Sequence, residues 1–180
     1  MIFLFFIFLN FFHPDPTVKR RSGFLFPKFE DNSTVGFSTS LPYFMALSES
    51  RDMTFTPKIY NRENLLVLHE YRQAFDKSYL VVDSSYNKGY RKTDKFTKTD
   101  GSRSHVFSKF TTDLSKGDYS SNLELNFQHV SNDTYFKVHN IETALVDKDE
   151  NIIKKDFNYE FQNDDSYLSV SAAMFENLQS

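Results

Sequence analysis

The chain has 180 residues, 39% of them hydrophobic, a net charge of −3 and a mean hydropathy of −0.51. No stretch is apolar for long enough to cross a bilayer as a helix, and the charge lacks the basic footprint of general nucleic-acid binding. With no cysteine, the chain can hold no disulfide, thiolate metal site or cysteine nucleophile.

The aromatic content, 21 Phe and 10 Tyr, is high for a domain with water on every side. A β-barrel accommodates it in interfacial girdles, and alternation of lipid-facing and lumen-facing residues keeps its mean hydropathy low.

Ile2 to Leu9 is continuously apolar. No Lys or Arg precedes it and no small-residue cleavage site follows, so it does not read as a signal peptide. The start reads as truncated or misplaced, with any signal expected far upstream. Pro14 and Pro16 then fix φ, remove two backbone donors and make a stiff connector. Lys19, Arg20 and Arg21 follow, abutting Phe24, Leu25 and Phe26. Such a cluster suits a membrane interface, where cations face phosphates and rings sit at headgroup level, and equally suits a solvated turn beside a core strand.

From Ser22 onward period-two alternation dominates and helical periodicity is absent. Met53, Phe55, Pro57 and Ile59 alternate with Thr54, Thr56 and Lys58, and Leu123, Leu125 and Phe127 with Asn122, Glu124, Asn126 and Gln128. The pattern predicts about ten strands, near 22–29, 34–48, 51–60, 64–75, 78–87, 103–113, 119–131, 134–146, 152–162 and 165–176. Short connections make this an antiparallel up-and-down meander, all-β in class. The exception is a long connection at 87–102, rich in Lys and bracketed by Gly89 and Gly101. Leu65–Leu68 and Leu80–Val82 are apolar throughout, which a soluble sandwich core explains as well as a barrel does.

Residues that could carry chemistry are sparse. His13, His69, His105, His129 and His139 have no metal-ligand spacing, and the acidic tracts at 147–150 and 164–165 lack the order of a calcium loop. No phosphate loop, dinucleotide fingerprint or nucleophile elbow occurs, so neither an enzyme nor a cofactor is expected. Pro27 and Pro42 are more telling, because they fall in neighbouring predicted strands and cannot donate to a ladder.

The run Pro14-Asp15-Pro16-Thr17-Val18-Lys19-Arg20-Arg21-Ser22-Gly23-Phe24-Leu25-Phe26-Pro27, then Leu41-Pro42-Tyr43-Phe44, Asp52 to Pro57 and Glu70-Tyr71-Arg72, resembles the lipopolysaccharide-assembly outer-membrane protein family, also called organic solvent tolerance protein. Ser131 to Phe136 and Tyr167 to Leu178 resemble its barrel segments less specifically. The resemblance implies that residues 1–21 end a periplasmic β-domain and its connector, and that 22–180 are the first strands of an outer-membrane barrel in a Gram-negative cell. As ten strands leave two open edges, the expected fold is an incomplete transmembrane β-barrel, an open curved sheet.

The same resemblance implies transport of lipopolysaccharide without covalent chemistry. Acyl chains would leave sideways into the outer-membrane lipids through a seam weakened by Pro27 and Pro42. Sugars would follow a hydrated lumen lined by Ser38, Ser40, Thr54, Thr56, Lys58, Asn122, Glu124, Asn126 and Gln128. The implied partners are a plug lipoprotein and a periplasmic bridge protein. Two other readings stay open, a soluble all-β ligand-binding module and a generic porin-like barrel. A continuous apolar band on the outward side chains favours a membrane, and charges on both outer faces a soluble domain.

Overall fold

Each apolar-alternating segment can bury or hide only one face, so the cheapest partner for each is the segment before it, reached through a short turn. The computed structural model describes residues 20–92, 98–147 and 150–178. The segment 1–19, with its apolar start, Pro14, Pro16 and Lys19, lies outside the described residues.

One antiparallel sheet contains all the strands: β1 (Gly23–Phe24), β2 (Lys28–Asn32), β3 (Gly36–Ser40), β4 (Tyr43–Ser48), β5 (Arg51–Tyr60), β6 (Leu66–Ala74), β7 (Ser78–Lys92), β8 (Lys98–Asp113), β9 (Ser120–Val130), β10 (Ile152–Gln162) and β11 (Tyr167–Asn177). The order runs β1-β4-β5-β6-β7-β8-β9-β10-β11, with β2 and β3 forming a hairpin that joins β5 through β3. This is the expected meander, and it is open. Among the described residues β11 pairs only with β10, and β1 and β2 only with β4 and β3.

Four segments depart from the predicted elements. The strands expected at 22–29 and 34–48 are each cut in two, at Leu25–Pro27 and at Leu41–Pro42, because proline removes the donor that would continue the ladder. The connection expected at 87–102 is mostly hairpin: β7 and β8 stay paired from Ser78↔Thr112 out to Lys92↔Lys98, since backbone pairing needs no apolar alternation. The strand expected at 134–146 is instead the helix α1 (Tyr135–His139) followed by irregular chain. Asn140 ends that helix in the left-handed conformation, φ 47°, a position Asn tolerates better than most residues.

Register fixes which side chains share a face. Asp52, Thr54, Thr56 and Lys58 of β5 stand opposite Arg72, Glu70, Leu68 and Leu66 of β6, and these opposite Val81, Asp83, Ser85 and Asn87 of β7. Residues 131–147 fold back over this covered face. Between it and the loop sits the main apolar cluster, with Leu66, Phe107, Tyr135, Phe136 and Ile141 all buried.

The opposite face is open and apolar. Phe29, Phe37, Phe55, Ile59, Leu125, Phe127, Phe157, Leu168, Val170 and Met174 are all exposed on it. From β5 to β11 the charged side chains described on this face lie towards its rims, Arg51 at one and Lys88, Lys155 and Glu176 at the other. Gly36 turns the first hairpin with φ 77°, and a Cβ there would run into the side chains of Asn61 and Arg62, so this turn is packed under the next one.

Candidate functional site

The proline break is a geometric consequence of three residues facing two. Phe24 pairs with Tyr43 and Lys28 with Ser40, so Leu25, Phe26 and Pro27 bulge opposite Leu41 and Pro42. The bulge is held by a bond of 2.9 Å from Leu25 N–H to the Pro42 carbonyl. In an antiparallel pair a residue's N–H and C=O point to the same neighbour, so Pro42 accepts that bond and returns none. The same defect recurs one strand further in, where Leu41 N–H donates to the Pro57 carbonyl at 3.1 Å and Pro57 has no N–H to give back. Three prolines therefore thin the ladder along one line across the first strands, and the third was not assigned a role in the sequence.

The nine polar residues proposed from alternation, Ser38, Ser40, Thr54, Thr56, Lys58, Asn122, Glu124, Asn126 and Gln128, share the covered face. Ser38 and Ser40 pair with Tyr60 and Lys58, and Gln128, Asn126, Glu124 and Asn122 with Phe107, Lys109, Thr111 and Asp113. Ser38, Ser40 and Lys58 are buried, whereas Asn122 is exposed. A cleft of about 440 Å³ lies beside the break, lined among others by Leu25, Pro42, Phe44, Lys58, Arg72 and Ile141. Apolar and charged side chains both line it, Lys28 and Glu30 among the charged ones.

Of the basic cluster, Lys19 lies outside the described residues and Arg21 is exposed. Arg20 is turned to the covered face, where it pairs with Asp52 and lies 5.7 Å from the Phe44 ring centroid. Asp52 also accepts from Arg72 Nε at 2.7 Å.

A buried polar chain under α1 escaped the sequence reading. His105 Nε2 lies 2.6 Å from Asp83 Oδ1, His105 Nδ1 lies 2.6 Å from Ser85 Oγ, and Ser85 Oγ lies 2.6 Å from the Tyr135 hydroxyl. A carboxylate only accepts, so Nε2 carries a proton, and with a neutral imidazole Nδ1 accepts from Ser85 and Ser85 from Tyr135. Burial pushes the Tyr135 hydroxyl up to about 12, which keeps it a donor. Asp, His and Ser in line suggest a nucleophile, but Tyr135 occupies the serine hydroxyl and the imidazole is fully buried. The arrangement ties the loop to the sheet. Among the described residues no group of three or more potential metal ligands occurs.

His139, at the end of α1, is buried with Nδ1 3.0 Å from the Tyr60 hydroxyl and with Nε2 unpartnered. Burial first, then the Arg103 and Lys58 cations, pull it from its ordinary 6.5 down to about 4. The unfolded chain takes up this proton below about pH 6.5 while the folded one holds off until about pH 4, so folding is fully favoured above the first value and weakens towards the second. The loss is expected to reach on the order of 3 kcal/mol. Denaturation midpoints measured from pH 7.5 to 4 should fall more steeply in the native chain than in His139→Gln; parallel curves would contradict the assignment.

The class so defined is an all-β chain built as one open antiparallel meander, apolar on one face and polar and covered on the other. No family model matches the chain. It is, however, similar to curated proteins named LPS-assembly protein LptD: 43% identical over 54 residues to that of Burkholderia cenocepacia strain HI2424, 39% over 54 residues to that of Shewanella sp. strain ANA-3, and 35% over 74 residues to that of Shewanella frigidimarina strain NCIMB 400. These matches cover 30%, 30% and 37% of this chain but only 7%, 7% and 10% of the relatives. The resemblance read from the motifs is thus a resemblance in aligned sequence as well, to a part of those longer proteins.

Proposed function

We propose that this chain supplies first strands of an outer-membrane lipopolysaccharide translocon, with the open face towards lipid, the covered face towards a hydrated lumen, and lateral release beside β1 to β4. The observation that carries this reading is the sorting of side chains: an apolar, outward band bounded by charges at its rims, backing onto a polar face. A soluble module would place charge across both outer faces. The thinned ladder at Pro27 and Pro42 supplies a seam at the edge of the sheet, where the free energy of parting strands is lowest. The name of the relatives, LPS-assembly protein LptD, supports the cargo. The work is transport with no covalent step, so no catalytic group or cofactor is assigned, and a plug lipoprotein and a periplasmic bridge protein are the proposed partners.

The test has two arms. In lipid vesicles, Leu125→Arg on the open face is expected to weaken membrane insertion by about 2 kcal/mol or more, whereas Thr111→Arg on the covered face should leave it nearly unchanged. Equal effects would favour a soluble module. In a chain carrying the remaining strands, Pro27→Ala with Pro42→Ala should lower glycolipid release several-fold, and unchanged release would favour a generic pore.

A further inference from the structure

We propose that the end of α1 and the residues after it form a latch that holds the β2–β3 hairpin onto β5, so that parting the sheet at the proline break requires this latch to let go. The inference rests on the proposed release site for its purpose, though the latch itself is a statement about this loop and hairpin.

The hairpin is weakly attached by its ladder. β3 pairs with β5 over only Ser38↔Tyr60, Thr39↔Ile59 and Ser40↔Lys58, and the next position along is Pro57, which gives no N–H to Leu41. Among the described residues β2 pairs only with β3, and the break at Leu25–Pro27 separates it from β1. Beyond this short ladder, the Asn61 N–H bond to the Phe37 carbonyl and the packing of the Gly36 turn against Asn61 and Arg62 hold one end of the hairpin, and its other end, at Leu41–Pro42, is where it can swing as a unit.

The loop between β9 and β10 restrains that swing from more than a hundred residues away in sequence. Asn140 Nδ2 donates to Glu30 Oε1 at 2.6 Å, and Asn32 Nδ2 to the Val138 carbonyl at 3.3 Å. Lys28 Nζ reaches Glu142 Oε2 at 2.8 Å. On the other side of the seam, Lys58 donates to the His139 carbonyl at 2.8 Å while also pairing with Glu30. Glu30 is therefore the shared node: one carboxylate on the swinging hairpin accepts from the loop and from the fixed strand together. Lys58 and Glu30 are both largely shielded from water, with side-chain exposures of 5% and 15%, so parting them exposes or strands a charge. The left-handed Asn140 aims its amide at Glu30, and that backbone conformation is one a glycine would keep while losing the contact.

Hydrogen exchange of the full chain folded in detergent micelles tests this. Asn140→Gly and Glu30→Ala should each accelerate exchange of the amides in 28–40 by about tenfold, the change expected for about 1.4 kcal/mol of lost local stability, with β6 to β9 unaffected. Exchange unchanged in 28–40, or accelerated equally everywhere, would overturn the latch. Should Glu30→Ala fail to fold, Asn140→Gly carries the test, together with a zero-length carbodiimide cross-link between Lys28 and Glu142. That amide should slow exchange in 28–40, and no slowing would count against the proposal. A latch that passes these tests while the cross-linked form still releases glycolipid at the normal rate would refute release at this seam, and leave the latch as a structural clasp.

Discussion

Phe107→Ala is expected to lower the stability of the folded sheet by about 3–5 kcal/mol and to free the loop that covers it. Phe107 is fully buried at the middle of the covered face, 5.2 Å from the Phe136 ring and 4.7 Å from the His105 ring between centroids. Truncation opens a cavity that the sheet cannot collapse to fill, because the flanking residues are fixed by ladders on both sides. The loop has little of its own to fall back on. α1 has five residues and no side-chain cap on its first turn, well short of a helix that persists without packing. The denaturant midpoint should therefore drop, and limited proteolysis should cut within 131–151 far sooner than in the native chain. Phe127→Ala is the control: that ring is 45% exposed on the open face, and its loss in detergent should cost under about 1 kcal/mol. If the two variants behave alike, the covered face is not the packed one and the assignment of faces falls.

The contrast between these two phenylalanines marks what was legible in the sequence. Alternation of period two needs only the chain itself, so β5 and β10 fall at the predicted 51–60 and 152–162, and the nine polar residues sort onto one face. The helix was not legible. Tyr135, Phe136, Val138 and Ile141 are residues a strand also favours, and a helix of barely more than one turn cannot display a 3.6-residue period. The pairing of 88–92 with 98–102 was missed for the opposite reason, since a backbone ladder needs no apolar alternation and the composition is that of a loop. Pro27 and Pro42 stood out, but that they interrupt two strands side by side, with Pro57 next in line, depends on register. Asp83, Ser85 and His105 gave no signal because adjacency across β7 and β8 is invisible until the strands are paired.

That last cluster yields the other large effect. His105→Ala is expected to destabilise the fold by about 3–5 kcal/mol, because it leaves the buried Asp83 without the imidazole that bonds it and takes from Ser85 its acceptor. The loss should come mostly from the stranded carboxylate rather than from the missing ring. Adding Asp83→Asn to His105→Ala should then restore part of it, so that the double variant is less destabilised than the sum of the two singles by about 1 kcal/mol or more. Denaturant midpoints of the four chains measure that coupling directly. Strict additivity would mean that His105 acts only as packing for Phe107 and Phe136, which it also touches. A positive coupling should be accompanied by faster proteolysis of 131–151 in His105→Ala, since Tyr135 holds the loop through Ser85 and loses its ordered partner when the imidazole goes.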